Sequence, residues 1–189
     1  MKIILGSQSK GRKEMLEEMG YEFEVMPSDI DEKAIRFTDP KELTLALAKA
    51  KADAIKTQIA KEGILITSDQ VVVWNGIIRE KPENEKEAKE FLLGYNDFPA
   101  ETVTAVIVTN LETGKQAEGL DIAKVYFSFF SDEDIDEIIK DGSAFRMAGG
   151  FTVAGAIWEK HIKKIEGTKD SVIGLPKALT KRLIQEVSE

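Results

Sequence analysis

The chain has 189 residues, of which 26 are Lys or Arg and 34 are Asp or Glu, so its formal net charge is −8. This composition is typical of a soluble protein with one domain or two closely packed lobes. The negative charge argues against a nucleic-acid binder and against a basic membrane-surface protein. The absence of Cys excludes disulfides and thiolate chemistry, and the single His161 cannot form a His-rich metal site.

No apolar run reaches the roughly 18–20 residues that span a bilayer, and the N-terminal stretch lacks the apolar core of a signal peptide. We therefore expect a cytosolic protein without a membrane partner.

Apolar periodicity and capping signals predict the elements of the first part of the chain. They are a buried strand at 2–5, a helix from 9 to about 19, a half-buried strand at 21–26, an acidic loop at 28–39, a helix over about 40–61 and a β-rich run at 64–74 interrupted at 67–70. Ser9 and Asp39 are the predicted N-caps of the two helices, and Pro40 suits the first helical position. Asn75-Gly76 predicts a two-residue hairpin turn after the β-rich run.

The same signals predict the elements of the second part. They are a helix from the capping box at 84–87 to Gly94, long strands at 102–111 and 119–130, an acidic helix at 131–140 closed by Gly142, a Gly-rich stretch at 145–155, a strand at 158–165 and an amphipathic helix at 176–187. His161 lies in the predicted strand at 158–165, where we expect it to be exposed. This order predicts an α/β or α+β sheet rather than strict βαβ repetition.

Asp69 is the most unusual residue of the β-rich run. It lies between Ile64-Leu65-Ile66 and Val71-Val72-Val73, where an unpaired buried carboxylate would cost several kcal/mol or become protonated. One interpretation is that Asp69 is buried and has a cationic partner. The other is that it marks a strand end or a bulge and faces solvent.

The segment from Ser7 to Arg12 joins a buried strand to a helix start. Backbone N–H groups and the helix dipole favour a phosphate at such a turn, and Arg12 could bind it bidentately. The spacing is not that of a Walker sequence, so an ordinary capped helix start explains the segment equally well.

Lys51, Lys81 and Glu32 are each compatible with solvated surface positions. Together, however, carboxylates with Lys and Arg, and without Cys or a His cluster, suit Mg²⁺ or Mn²⁺ and a polyphosphate.

Seven short motifs in this order resemble the Maf family, the septum-formation-inhibitor-like nucleotide pyrophosphatases. They are Leu5-Gly6-Ser7-Gln8-Ser9 with Arg12 and Leu16, Asp31-Glu32, Leu47-Ala48-Lys49-Ala50-Lys51-Ala52, Ser68-Asp69-Gln70-Val71-Val72, Glu80-Lys81-Pro82, Ala148-Gly149-Gly150-Phe151 and Ser171-Val172-Ile173-Gly174-Leu175-Pro176. Each motif alone is common, whereas seven at matching spacings over nearly the whole chain are specific.

The resemblance implies a mixed α/β fold akin to inosine triphosphatases, with a central twisted mixed sheet and flanking helices. It implies a single domain, 1–189, of two closely packed lobes around a cleft, and often a homodimer. It also implies hydrolysis of a nucleoside triphosphate to the monophosphate and pyrophosphate with a divalent metal. The positions that match the family's functional residues are Ser7, Arg12, Glu32, Lys51, Asp69 and Lys81. On this basis Glu32 and Asp69 would hold Mg²⁺ or Mn²⁺, and Asp69 would also orient or deprotonate the attacking water. Arg12, Lys51 and Lys81 would bind the phosphates together with the turn that contains Ser7 and Ser9.

The sequence departs from the family at the positions that select the base. The family commonly has Ser-Pro-Arg-Arg where this chain has Ser9-Lys10-Gly11-Arg12, so one Arg is missing. The specificity positions of the pyrimidine-preferring branch correspond to Gly11, Gln70 and Ala154. Gln70 resembles the branch that prefers methylated guanosine triphosphate or CTP, but the Trp and Glu of that branch are absent.

Gln70 and the Gly-rich segment at 148–155 would contact the base, although Gly-rich loops also serve as simple tight turns. The alternative function is a nucleotide-binding regulator of cell division without significant turnover.

Overall fold

The structure is a computed structural model that describes residues 2–59 and 62–189. The strands of this part are β1 (Ile3–Leu5), β2 (Phe23–Val25), β3 (Ile64–Trp74), β4 (Ile77–Arg79), β5 (Ala100–Asn110), β6 (Gln116–Phe127) and β7 (Ile162–Glu166). The α-helices are α1 (Lys10–Glu18), α2 (Pro40–Lys56), α3 (Glu85–Gly94), α4 (Asp132–Asp141), α5 (Ala156–Glu159), α6 (Lys169–Ile173) and α7 (Lys177–Ser188). Short 3₁₀ helices lie at Glu32–Ala34, Ala144–Arg146 and Ala148–Gly150. No helix in the described part of the chain combines the length and the hydropathy needed to cross a membrane.

The strands form a mixed sheet in the order β2-β1-β3-β5-β6-β7, and β4 pairs with β3. β1 is parallel to both of its neighbours, with Ile3 opposite Phe23 on one side and Ile64 on the other. β4 and β7 are antiparallel to β3 and β6, respectively. The predicted mixed α/β fold is therefore confirmed.

The chain divides into two compact units. The first unit contains the described residues of Met1–Gln70, Thr104–Asp121 and Gly174–Glu189, and the second contains Val71–Val103 and Ile122–Ile173. β3, β5 and β6 contribute residues to both units, because the boundaries fall within these strands.

The core of the first unit forms where α2 packs on the sheet. Its small residues Ala48 and Ala52 are fully buried and let the helix approach β1 and β3 closely. The buried cluster consists of Ile4, Ala48, Ala52, Ile55, Leu65, Ala105, Ile107 and Leu111. Lys51 lies on the same helix, so the packing of α2 also fixes the position of this cation next to β3.

The core of the second unit is rich in aromatic residues, including Tyr95, Phe127, Phe130, Phe151 and Trp158. A buried cation lies at its edge. The Arg79 guanidinium stacks on three rings, with its Cζ 4.0 Å from the Trp74 ring centroid, 4.5 Å from that of Phe91 and 5.0 Å from that of Tyr95. Arg79 also donates a hydrogen bond of 2.9 Å to the Phe91 carbonyl.

The local signals of the sequence are confirmed at the predicted helix starts and turns. Ser9, Asp39 and Asn84 are N-caps whose side chains accept backbone hydrogen bonds. Asn75 and Gly76 both have positive φ and form the hairpin turn between β3 and β4.

Two predicted boundaries in the first unit are wrong. β3 is continuous from Ile64 to Trp74, without the expected interruption at 67–70, because the polar side chains there find partners inside the fold. Helix α2 ends at Lys56, well before residue 61. The side chains of Thr57 and Gln58 donate to the Ala54 carbonyl and satisfy the helix end. Residues 60 and 61 of the predicted helix lie outside the described residues.

The predictions for 158–165 need two corrections. Trp158 belongs to α5 and is buried, and the strand begins only at Ile162. His161 is buried, not exposed: its ring lies 4.5 Å from that of Phe130, and its Nε2 lies 3.3 Å from Oδ1 of Asp134. Apolar and polar residues alternate over 158–165, as in a half-exposed strand. Trp158 and His161 are nevertheless buried, because both pack against the aromatic core of the second unit.

Candidate functional site

The polar residues of β3 point alternately to the two faces of the strand. Thr67 donates a hydrogen bond of 2.8 Å to the Ala48 carbonyl of α2, and Asp69 accepts one of 2.6 Å from Lys51 of the same helix. Ser68 instead donates to the Gly174 carbonyl, and Gln70 donates to Thr104. Because the strand is uninterrupted, the Asp69 side chain lies on one face of β3, and the side chains of Ser68 and Gln70 lie on the other.

Asp69, Lys51 and Glu32 form a charged cluster. The Lys51 Nζ lies 2.6 Å from Oδ1 of Asp69 and 3.0 Å from Oε1 of Glu32. The side chains of Asp69 and Lys51 are only 9% and 10% exposed, whereas that of Glu32 is 56% exposed. The cluster thus has a buried ion pair at its base and an accessible carboxylate at its rim. The interpretation that Asp69 faces solvent at a strand end is wrong.

Burial raises the pKa of Asp69 above its ordinary value, and the repulsion of Glu32 acts in the same direction. Lys51 and Arg12 oppose the shift by attraction, but desolvation dominates. A carboxylate in this state holds a proton more tightly than a solvated Asp. It is therefore a better general base near neutral pH than an exposed Asp would be.

Arg12 lies on the first turn of α1, and three acceptors fix its guanidinium. Its Nε donates to the Gly174 carbonyl at 3.0 Å. Its Nη1 donates to the Ser68 carbonyl at 2.8 Å and to Oγ of Ser7 at 3.3 Å. Burial lowers the pKa of Arg12, and the carboxylates Asp69 and Glu32 oppose this shift.

Within the described residues, Nη2 of Arg12 has no hydrogen-bond partner. The expected bidentate contact with a phosphate could not use Nε or Nη1, because both nitrogens already donate inside the protein. Nη2 is the group that Arg12 offers to a ligand.

Ser7 and Ser9 shape the turn before α1. Oγ of Ser7 accepts from the Ser9 amide at 3.2 Å and from Arg12, so both of its lone pairs are occupied. The Ser7 hydroxyl can then act only as a donor toward a ligand. Ser9 caps the helix by accepting from the Arg12 amide, and the first turn of α1 carries no acidic side chain that would neutralise the helix dipole.

Gln70, which we expect to contact the base, donates a hydrogen bond of 2.7 Å from Nε2 to the Thr104 hydroxyl. Gly174 packs against it: a Cβ on residue 174 would lie 3.5 Å from Cδ of Gln70 and 3.5 Å from Nε of Arg12. Gly174 also has a φ of 101°, a conformation that side-chain-bearing residues rarely adopt. The Gly174 backbone therefore lies between a predicted phosphate ligand and a predicted base ligand.

The donor chemistry of the cluster fits a divalent cation. Lys51 bonds one oxygen of Asp69 and one of Glu32, and among the described residues no hydrogen bond reaches Oδ2 of Asp69. Mg²⁺ and Mn²⁺ bind through one or two protein carboxylates and complete their coordination with substrate phosphates and water. In the described part of the chain, no group of three or more His, Cys, Asp or Glu side chains is arranged to hold a metal.

The remaining predicted site residues are Gly11, Lys81 and Ala154. Gly11 lies in α1 next to Arg12. Lys81 and Ala154 belong to the second unit, where both are exposed, and their roles remain predictions. The Glu80 carbonyl before Lys81 accepts a hydrogen bond of 2.9 Å from the Gly149 amide, which anchors that segment within its own unit.

Sequence reasoning assigned no separate role to Ser68, Gly174 or Thr104. Ser68 and Gly174 lie in two of the motifs quoted above, but their contacts join positions 56 to 162 residues apart in the chain. Strand alternation around Asp69 would have predicted that Ser68 faces away from it. No local signal identifies its partner.

A lysine and an arginine held beside buried and exposed carboxylates, next to a small-residue turn before a helix, are typical of α/β proteins that bind phosphorylated ligands. Comparison with known proteins identifies the class more closely. The family model described as Maf-like protein matches residues 2–187.

Three curated relatives match nearly their full lengths. The 7-methyl-GTP pyrophosphatase of Dictyostelium discoideum is 48% identical and is covered to 98%, with 99% of this chain aligned. The dTTP/UTP pyrophosphatase of Carboxydothermus hydrogenoformans is 33% identical, with 100% of this chain and 98% of the relative covered. A nucleoside triphosphate pyrophosphatase of a Synechococcus species is 32% identical, with 98% and 93% covered.

Among solved structures, a nucleoside-triphosphatase (dITP/XTP pyrophosphatase) from Mycobacterium abscessus aligns with a TM-score of 0.45 and 12% identity over 100% of this chain and 98% of its own. The family match and the relatives are sufficient: this chain belongs to the Maf family.

Proposed function

We propose that the cluster around Asp69 hydrolyses the bond between the α- and β-phosphates of a nucleoside triphosphate. Membership in the Maf family and full-length relatives named pyrophosphatases make this protein a nucleoside triphosphate pyrophosphatase, and therefore a hydrolase. The proposal assigns this activity to particular side chains of the first unit.

One observation carries the assignment. The Asp69 carboxylate lies in the middle of a buried strand and is paired with Lys51. A second cation, Arg12, is close enough to affect the pKa of Asp69. An ion pair in such a position is a costly way to stabilise a fold. Its retention is explained if the carboxylate acts in the reaction. Perturbed titration combined with a specific charge partner is typical of catalytic groups.

In the proposed reaction, water attacks the α-phosphorus in line with the leaving group. The oxygen of water forms the new bond to phosphorus, the bond to the bridging oxygen breaks, and pyrophosphate leaves with that oxygen. Asp69 orients the water and accepts its proton, which its raised pKa favours. The products are the nucleoside monophosphate and pyrophosphate.

The cationic groups of the site bind and position the charged tail, which carries close to four negative charges. Arg12 contributes Nη2 and Ser7 contributes its hydroxyl, both held in place by the contacts described above. Lys51 adds a third donor at the base of the site. Lys81 stays a proposed phosphate ligand on the basis of its family motif alone.

We propose that Glu32 and Asp69 hold Mg²⁺ or Mn²⁺. Arg12 and Lys51 together only balance the charges of Asp69 and Glu32, so the cluster as a whole is close to neutral. A divalent cation, when bound, neutralises phosphate charge and polarises the phosphoryl oxygens. The accessible carboxylate of Glu32 suits exchange of such an ion with solvent.

The base preference is inferred from the named substrates of the relatives. The relative at 48% identity is named a 7-methyl-GTP pyrophosphatase, and a relative at 33% is named a dTTP/UTP pyrophosphatase. We infer that, among nucleoside triphosphates, this protein prefers 7-methyl-GTP. Gln70, braced by Thr104, is the proposed base contact. Gly11 and Ala154 remain proposed specificity positions, and a cytoplasmic homodimer remains the expected assembly.

The deciding experiment measures pyrophosphate release from 7-methyl-GTP, GTP, CTP, UTP and dTTP, each with Mg²⁺, with Mn²⁺ or with a chelator. We expect turnover with a metal, fastest with 7-methyl-GTP, and loss of turnover with the chelator. Asp69→Asn is the inactive control. Asp53→Asn is the matched control, because it neutralises an exposed carboxylate of α2 whose ion-pair partner among the described residues is Lys56.

Full activity in Asp69→Asn would remove this carboxylate from the reaction. Binding of nucleotides without any pyrophosphate release would instead support the alternative of a non-hydrolysing regulator.

A further inference from the structure

Arg12 is the proposed phosphate ligand with the largest number of internal contacts, and two of its three acceptors are linked to each other. The Gly174 carbonyl accepts from Nε of Arg12 at 3.0 Å and from the Ser68 hydroxyl at 3.0 Å. The Ser68 carbonyl accepts from Nη1 of Arg12 at 2.8 Å. Ser68 therefore contacts Arg12 directly through its backbone and indirectly through its hydroxyl.

We propose that Ser68 is a positioning residue for Arg12. Its hydroxyl fixes the Gly174 carbonyl, and this carbonyl in turn fixes the guanidinium so that Nη2 remains for a phosphate oxygen. The proposal rests on the proposed function in one respect only, namely that Arg12 binds phosphate.

The chemistry of the carbonyl supports this role. A carbonyl oxygen has two lone pairs, and at Gly174 both are occupied by donors from different segments, so the peptide cannot rotate without breaking a hydrogen bond. The left-handed φ of Gly174 sets the direction of this carbonyl at a position where a side chain would be strained.

The burial of Ser68 argues against a solvation role for its hydroxyl. The residue is fully buried, and its hydrogen bond to Gly174 links positions 106 residues apart. Without this bond, the Gly174 carbonyl keeps one of its two donors, Nε of Arg12. The carbonyl and the guanidinium can then move together. The expected result is a guanidinium that spends less time in the phosphate-binding orientation.

The test uses inorganic tripolyphosphate as a base-free probe and isothermal titration calorimetry at fixed free Mg²⁺. Ser68→Ala should weaken tripolyphosphate binding about tenfold, the upper range for one neutral hydrogen bond. Arg12→Met should weaken it by about 10- to 100-fold, as expected for a charge-assisted contact. If Ser68 acts through Arg12, then adding Ser68→Ala to Arg12→Met should change the affinity by less than twofold.

Thr67→Val is the matched control. Thr67 is the neighbouring residue of β3 and is also fully buried. Its hydroxyl donates a hydrogen bond of 2.8 Å to the Ala48 carbonyl of α2, on the opposite face of the strand. This variant removes a buried hydroxyl of the same strand without touching Gly174, and it should bind tripolyphosphate within twofold of the wild type.

In turnover assays the defect of Ser68→Ala should appear mainly as a raised KM, because binding is weakened while Asp69 is untouched. Equal losses of affinity with and without Arg12 would overturn the proposal, as would wild-type affinity of Ser68→Ala. If Ser68→Ala does not fold, Ser68→Cys keeps the size of the side chain with a weaker donor and replaces it in the same cycle.

The binding measurement needs no turnover. A chain that binds tripolyphosphate but releases no pyrophosphate from nucleotides would refute the proposed function and still decide the role of Ser68.

Discussion

Replacing Asp69 by Asn separates a catalytic role of this carboxylate from a structural one, because the two roles predict opposite changes in stability. Asn keeps the shape of Asp and still offers Oδ1 to the Lys51 ammonium, which lies 2.6 Å from that atom in the wild type. The substitution removes the negative charge and the proton-accepting oxygen. We expect turnover to fall by about 10²-fold or more, the usual contribution of a general base.

The expected effect of Asp69→Asn on stability follows from the direction of the pKa shift. Folding raises the pKa of Asp69, so the folded protein binds this proton more tightly than the unfolded chain does. At pH values between the pKa of Asp69 in the unfolded chain and its pKa in the folded protein, ionisation of Asp69 costs more free energy in the folded state. The free energy of unfolding therefore falls as the pH rises through this range. An uncharged Asn avoids that cost at neutral pH, and Lys51 keeps Glu32 as a carboxylate partner at 3.0 Å. Asp69→Asn should therefore melt at the same temperature as the wild type or higher.

Lys51→Met is the opposite perturbation of the same pair. It leaves the Asp69 carboxylate buried without its main cation and close to the repelling Glu32. Breaking a buried pair in this way costs about 3–5 kcal/mol. For a chain of this size the loss corresponds to a melting temperature lower by roughly 6–20 °C. The difference should shrink as the pH falls, because protonation of Asp69 removes the unpaired charge.

Thermal unfolding followed by circular dichroism between pH 5 and pH 8, combined with pyrophosphate-release assays, measures both effects. The double variant Asp69→Asn/Lys51→Met should recover much of the stability that Lys51→Met loses. The reasoning is refuted if Asp69→Asn melts as low as Lys51→Met, which would make the carboxylate a structural partner. It is also refuted if Asp69→Asn keeps near-wild-type turnover.

Three further predictions concern other parts of the molecule. Ser131 holds the pKa of Asp134 at about 2, so this carboxylate stabilises the protein above its ordinary pKa of 3.8, and the contribution is lost as the pH falls towards 2. The melting temperature of Asp134→Asn should thus be lower than that of the wild type at pH 5 and approach it near pH 2, whereas a constant difference would contradict the assignment. Arg79→Lys should lower the melting temperature by roughly 2–8 °C in calorimetry, because a lysine cannot stack flat on three rings, and an unchanged temperature would show that the stacking contributes little. Gln70→Thr breaks the hydrogen bond to Thr104 and should change the ranking of purine against pyrimidine triphosphates in the pyrophosphate assay; an unchanged ranking would place base selection elsewhere.

The sequence predicts well the features that are fixed within a few residues. The N-caps Ser9, Asp39 and Asn84 and the Asn75-Gly76 turn lie where their local chemistry places them. These signals act over two to four residues and need no knowledge of the rest of the chain. The motifs that resemble the Maf family were likewise readable in order, and the family assignment is confirmed.

What the sequence left open at Asp69 was the choice between a solvent-facing carboxylate and a buried ion pair. That choice depends on α2, whose small residues let the helix pack closely enough on β3 for Lys51, 18 residues away, to reach the carboxylate. His161 and Trp158 were misplaced for a similar reason, because burial in the aromatic core overrides a local pattern.

The residues around Arg12 show the same division most clearly. The chain itself determines that a small-residue turn and an arginine begin α1. Only the tertiary structure decides which atoms of that arginine remain for a ligand, because its acceptors on Ser68 and Gly174 lie 56 and 162 residues away. Capping and turn formation depend on neighbours in the chain, whereas hydrogen bonds between distant segments depend on how the whole first unit packs.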